Sequence, residues 1–213
     1  MRFSFVVFLL VAFAAQADEM EVPRKRWADS PHGPMLQRIL PPGFEPKMLP
    51  EPSSEGARLT LRYCVQCHNL ANPAMHGRAK WPAIVDRMVL RMQGRGNMGV
   101  LMHEMMAGVV APSPEETRAL TAYLRKHAMR LLDPGRIPEV NAPSGESFRL
   151  ACGQCHELPD PQSYAAKEWP AVVERMYKYM EWTTRAVGSN PVPGEPQLKL
   201  EDINSFLARH ARK

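Results

Sequence analysis

The chain carries a second copy of part of itself. Slid along by 88 residues, segment 64–92 falls on segment 152–180 without a gap, and 13 of the 29 positions are identical. The matches include Cys64/Cys152, Gln66/Gln154, Cys67/Cys155, His68/His156, Trp81/Trp169, Pro82/Pro170, Arg87/Arg175, Met88/Met176 and Met92/Met180. A further match lies at an offset of 83, where Tyr123-Leu124 and His127-Ala128 correspond to Phe206-Leu207 and His210-Ala211. The second copy is therefore five residues shorter between its middle and last segments. A duplicated unit of this size has to build a similar small core twice.

Each copy reads as three helical pieces. The first runs from Ser54-Glu55 to Tyr63-Cys64, and its counterpart begins at Ser144-Gly145-Glu146; serine with an acidic residue close behind suits a helix N-terminus. The second begins at Trp81-Pro82 and at Trp169-Pro170, with proline in the first turn where its missing N–H costs little. Its apolar residues 81, 85, 88 and 92 recur at helical spacing, as do 169, 173, 176 and 180. The third runs from Pro114-Glu115-Glu116 to Met129, and from Leu200-Glu201-Asp202 to the C-terminus. No strand-like alternation of useful length appears. The expectation is a mostly α chain with two tandem helical domains, residues 54–131 and 144–213, joined by a turn-rich linker at 132–143. Residues 18–53 precede them as a proline-rich arm, with eight prolines between positions 18 and 52, expected to be extended and either laid over the domains or partly disordered. Gly188 to Pro196 reads as a proline-rich loop within the second copy.

Residues 1–17 read as an export signal: Arg2, an apolar run from Phe3 to Ala14, and an A-x-A cleavage site at Ala15-Gln16-Ala17. The run is shorter than the roughly 20 apolar residues that span a bilayer, and no later stretch is long and apolar enough. The mature chain is thus expected to begin near Asp18 and to work in the periplasm, an oxidising compartment. The net charge is +5, from 27 basic and 22 acidic residues that are interspersed, so no basic stripe points to nucleic acid. Aromatic residues are only 8% of the chain, which leaves a core of large rings short of material.

All four cysteines lie in two strings, Cys64-Val65-Gln66-Cys67-His68 and Cys152-Gly153-Gln154-Cys155-His156. C-x-x-C-H is the attachment pattern for c-type haem. Two thiols three positions apart on a turn can add to the two vinyl groups of one porphyrin. The next residue, histidine, then points a ring nitrogen at the iron from the same side. Disulfide pairing does not require a histidine after each pair. A four-cysteine zinc site usually has its pairs about 15–20 residues apart, whereas 84 residues separate Cys67 from Cys152. A thioredoxin-like motif wants a βαβ context, which is missing. Two covalent haems also account for the shortage of aromatic residues, because each adds a large flat apolar body.

On these residues the chain, over roughly 54–213, resembles the tandem dihaem cytochromes c, two class I-like domains joined by a linker. The resemblance implies haem c attached at Cys64/Cys67 and at Cys152/Cys155, with His68 and His156 as axial ligands. It also implies a helical fold wrapped around each haem and a role in electron transfer. Class I domains usually take the opposite ligand from a methionine in a loop before the last helix. Met98, Met102, Met105 and Met106 lie there in the first copy, but no methionine follows Met180 in the second. The methionines shared by both copies are Met88/Met176 and Met92/Met180, spaced i, i+4 on one helix face. Met92 and Met180 are preferred, on the expectation that both stand at a helix end; Met88/Met176, His127/His210 and an open position remain as alternatives, as does core packing. His127 and His210 look like exposed helix-end residues.

Further readings attach to other repeated positions. Trp81 and Trp169 either pack in the core or turn the indole N–H to a haem propionate. Arg87 and Arg175 either face solvent or pair with a propionate. Met98–Met106 with His103 is packing, a loop contact, or a soft-metal site for Cu(I). The function expected is that of an electron carrier, not an enzyme, cycling Fe(III) and Fe(II) between a periplasmic dehydrogenase as donor and an oxidase or another cytochrome as acceptor. The alternatives are a haem enzyme or gas sensor with an open iron position, or an electron-transfer subunit of a dehydrogenase.

Overall fold

The computed structural model describes Lys25, residues 27–188 and residues 199–213. Residues 1–17, read above as an export signal, the start of the arm and residues 189–198 lie outside the described residues. Among the described residues there are eight α-helices linked by short 3-10 turns, and no strand. The helices are α1 (Gly33–Ile39), α2 (Glu55–Cys64), α3 (Trp81–Met92), α4 (Val100–Met106), α5 (Pro114–Lys126), α6 (Glu146–Cys152), α7 (Trp169–Val187) and α8 (Leu200–His210). The mostly α expectation holds. None of these helices is long and apolar enough to cross a membrane.

The duplication is carried into the geometry. α2 and α3 pack on α5, and α6 and α7 pack on α8. Each set encloses its own apolar cluster, the first around Ala57, Trp81, Leu120 and Leu124, the second around Phe148, Trp169, Phe206 and Leu207. In both copies a side-chain oxygen (Asn72, Asp160) accepts from the backbone N–H two residues on, starting a 3-10 turn at Pro73 or Pro161. That proline's carbonyl then accepts the indole N–H of Trp81 at 2.9 Å or of Trp169 at 2.8 Å. Beyond the last helix, Met129 N donates to His76 O and Arg212 N to Tyr164 O, both at 3.0 Å. Every one of these pairs obeys the 88- and 83-residue offsets.

The copies differ where glycine differs. After Met92 come Gly94 (φ 68°) and Gly96 (φ 97°), in the left-handed region that ends a helix at little cost for glycine. The second copy has no glycine there, so α7 runs on for 19 residues until Gly188 (φ 74°) caps it. Met180 therefore stands inside a helix, against the expectation that it closes one; Met92 is the last residue of α3. The second copy also begins its first helix later than Ser144. Pro143–Gly145 is a 3-10 turn, and the α-helix starts at Glu146. The third helices stop at Lys126 and His210, short of Met129 and of the C-terminus.

Two connecting segments are more structured than expected. The supposed linker supplies Ile137 and Val140 to the second cluster. The arm contains α1 and places Trp27 and Leu36 against Met105 of α4 in a third small cluster, while Leu49 enters the first cluster. α5 has a complete capping box: Ser113 Oγ accepts from Glu116 N, and the Glu116 carboxylate accepts from Ser113 N at 2.8 Å and from the Tyr63 hydroxyl at 2.8 Å. These bonds, the backbone one foremost, hold the Glu116 carboxyl below the ordinary value. A lowered folded-state pKa stabilises above the unfolded value, near 4.3 for glutamate, and that stability is lost as pH falls through the folded value. Urea titrations from pH 7 to pH 3 should show the wild type losing its advantage over Glu116→Gln as acid is added. Ser113→Ala should cost about 1 kcal/mol at neutral pH.

Candidate cofactor-attachment sites

Each C-x-x-C-H string begins on the last residue of a helix, Cys64 of α2 and Cys152 of α6, and turns out of it through Val65 or Gly153. The four cysteines are free thiols, with Cys64 and Cys152 half-buried, Cys67 buried and Cys155 exposed. Burial pushes the Cys64 and Cys152 thiols up to about 12 and Cys67 to about 11, so these three are protonated at neutral pH. Among the described residues no three or more His, Cys, Asp and Glu side chains gather as a metal site, which the four-cysteine zinc alternative would need.

The two histidines are held alike. His68 Nδ1 lies 2.7 Å from the carbonyl oxygen of Asn69, and His156 Nδ1 lies 2.7 Å from that of Glu157. A carbonyl oxygen only accepts, so Nδ1 carries a proton in each ring, and in the neutral imidazole the lone pair is then on Nε2. A second-shell bond of this kind orients a ligating imidazole and makes the free nitrogen more basic. Two thiols at a helix end, followed by an imidazole presenting Nε2, form a donor set that fits a haem iron and its vinyl groups. Two buried donors on α7, Arg175 Nε and Trp182 Nε1, meet no protein acceptor, and both would suit a carboxylate-bearing group.

The other repeated residues sort differently. The indole N–H groups of Trp81 and Trp169 are taken by Pro73 and Pro161, so both tryptophans are core residues rather than propionate donors. Their rings meet His76 and Tyr164 edge-on, at centroid distances of 5.4 and 5.0 Å. Arg87 is exposed, whereas Arg175 is half-buried. His127 and His210 are not exposed helix ends as expected: each is partly covered and lies on the ring one turn back, Tyr123 or Phe206, at 4.7 Å. Met92 packs on the first apolar cluster. Met88, Met176 and Met180 are half-buried. In α4, Met105 is buried with Trp27 and Leu36, which is packing, and His103 is exposed. Met102 is half-buried, and Met106 Sδ is 3.8 Å from Cys67 Sγ.

The surroundings of the two strings are unlike. Gln66 reaches the segment after α4, donating to Val110 O and accepting from Val110 N, each at 3.0 Å. Its counterpart Gln154 bonds only to Leu150 O on its own helix, at 2.9 Å. The arm closes over the first string: Trp27 Nε1 donates to Cys67 O, Asn69 Nδ2 to Pro41 O, and Phe44 N to Leu70 O. The halves also touch. Lys80 and Glu157 pair at 2.9 Å, Arg130 Nε and Asp160 at 2.8 Å, and Leu132 N donates to Leu158 O at 2.9 Å. Sequence reasoning assigned no role to Trp27, Gln66 or the Lys80–Glu157 pair. Trp27 was visible as a lone indole outside the repeat, and Gln66 as a repeated polar position left without an explanation.

No protein-family model matches the chain, and neither a curated protein nor a solved structure matches it.

Proposed function

We propose that the protein is a dihaem c-type cytochrome of the periplasm, with one covalent haem c in each half, carrying electrons between redox proteins. The observation that carries this reading is the pair of histidines directly after the C-x-x-C thiols, each fixed by the same Nδ1–carbonyl bond with Nε2 left to bind. In this reading Cys64, Cys67, Cys152 and Cys155 would hold the haems as thioethers, each S–H adding across a vinyl double bond with its hydrogen going to the neighbouring carbon. His68 and His156, with Met92 and Met180, would hold the irons, and such His/Met ligation raises the reduction potential.

When bound, the haem iron cycles between Fe(III) and Fe(II) by one electron. The chain's part would be to offer an imidazole from the turn after α2 or α6 and a thioether from α3 or α7, so that little rearranges when one electron is gained or lost. Cys64 and Cys152 pack against the apolar cluster of their own half. Arg175 and Trp182 offer donors to a buried carboxylate. The partners are a dehydrogenase as donor and an oxidase or another cytochrome as acceptor, with residues 1–17 directing export.

Mass spectrometry of the exported, denatured protein is the test. Two porphyrins should remain bound through denaturation; Cys64→Ala/Cys67→Ala should retain one, and Cys152→Ala/Cys155→Ala should retain the other. A colourless protein of unmodified mass would overturn the reading. A high-spin spectrum with rapid CO binding would replace the carrier by a sensor or enzyme.

A further inference from the structure

We infer that electrons enter and leave through the second attachment site, and that the first is an inner site sealed by the N-terminal arm; this rests on the haem reading above. The two strings are nearly the same sequence, yet their surroundings differ. Cys67 is only 7% exposed. Over it lie Trp27, 2% exposed and bonded to the Cys67 carbonyl, and Met106 of α4. Among the described residues nothing like α4 and no part of the arm covers the second motif; Cys155 is exposed, and Leu150 beside Gln154 is 43% exposed. The arm instead reaches the second copy at α7, where the Tyr179 hydroxyl donates to Pro42 O at 2.9 Å. The route inward runs across the contact between halves, where Lys80 pairs with Glu157, the residue after His156.

The charges set a stringent condition for the test. Residues 54–131 carry eleven basic and five acidic side chains, and residues 144–213 carry nine of each. An anionic reductant is therefore drawn to the first half by charge, and a faster second site cannot be an effect of attraction. Dithionite supplies the sulfur dioxide radical anion, which gives up one electron to become SO2 and hydrates to sulfite. The electron reduces the iron held by His156 from Fe(III) to Fe(II) and then passes to the iron held by His68, returning the first to Fe(III).

Stopped-flow reduction of the single-haem forms decides the question. Cys64→Ala/Cys67→Ala, which keeps only the second haem, should react fast, and Cys152→Ala/Cys155→Ala should react slowly. Trp27→Ala in the slow form should speed it and close the gap. In the full chain, Leu150→Glu, an exposed change that leaves the core intact, should slow reduction of both haems together, because both depend on the one port. A readout without haem runs alongside: in the unloaded chain iodoacetamide should label Cys155 before Cys67, and Trp27→Ala should bring the two together. Equal reduction rates in the two single-haem forms, or a faster first site, would overturn the inference while leaving the haem reading intact. Absence of haem from the wild type would overturn both.

Discussion

Trp169→Ala is expected to destabilise the second half by about 3–5 kcal/mol, the usual cost of removing a buried tryptophan. The residue is 2% exposed, donates its indole N–H to Pro161 O at 2.8 Å, and stands edge-on to Tyr164 at 5.0 Å. It opens α7 and ties that helix to the 3-10 turn before it, so its loss both empties the core and frees the turn. Trp169→Phe keeps a large ring but leaves the Pro161 carbonyl unpaired, at about 1–3 kcal/mol. Urea unfolding followed by far-UV circular dichroism should rank wild type, Phe and Ala in that order. An alanine midpoint matching the wild type would mean that this tryptophan is not the keystone of the second cluster. Trp81→Ala should act in the same manner on the first cluster, and because the two clusters share no residue the effects should add.

The second large effect follows if the proposed dihaem reading, with Met92 and Met180 as ligands, is right. Met92→Ala and Met180→Ala should each lower the potential of one haem, by part of the roughly 0.8 V over which axial ligation tunes haem iron. Each should also remove the far-red band of a methionine–iron bond from half of the spectrum. Met88→Ala and Met176→Ala, one turn back on the same helices, should leave that band in place. Potentiometric titration of the four variants separates the outcomes. A loss of the band in Met106→Ala and its retention in Met92→Ala would move the first ligand to α4, whose Met106 approaches Cys67 at 3.8 Å.

Much of this was legible in the residues because duplication shows which positions a fold needs. Proline after each tryptophan marks the start of α3 and α7, and the 88-residue offset carries the start of α3 onto that of α7. Helix ends were harder. The sequence pattern treats Met92 and Met180 as equivalent, but the stop is set by the residues that follow: glycines at 94 and 96 in one copy, and no glycine or proline before Gly188 in the other. The candidate site was legible for its C-x-x-C-H residues and not for their surroundings. Trp27 lies 40 residues before Cys67, and Gln66 finds Val110 across 44, so local periodicity carries no trace of either contact. The prolines of the arm read as extension, although Gly33-Pro34 opens a helix and Leu36 buries it.

The order in which the chain is made gives the arm a further meaning. Its residues emerge first, yet everything that holds them comes afterwards: Cys67 and Asn69, then Met105, and finally Tyr179, 137 positions beyond its acceptor Pro42. The opening segment has no seat until the rest has folded, so it settles late. A reagent meant for Cys67 would therefore find it open only before Trp27 docks over it.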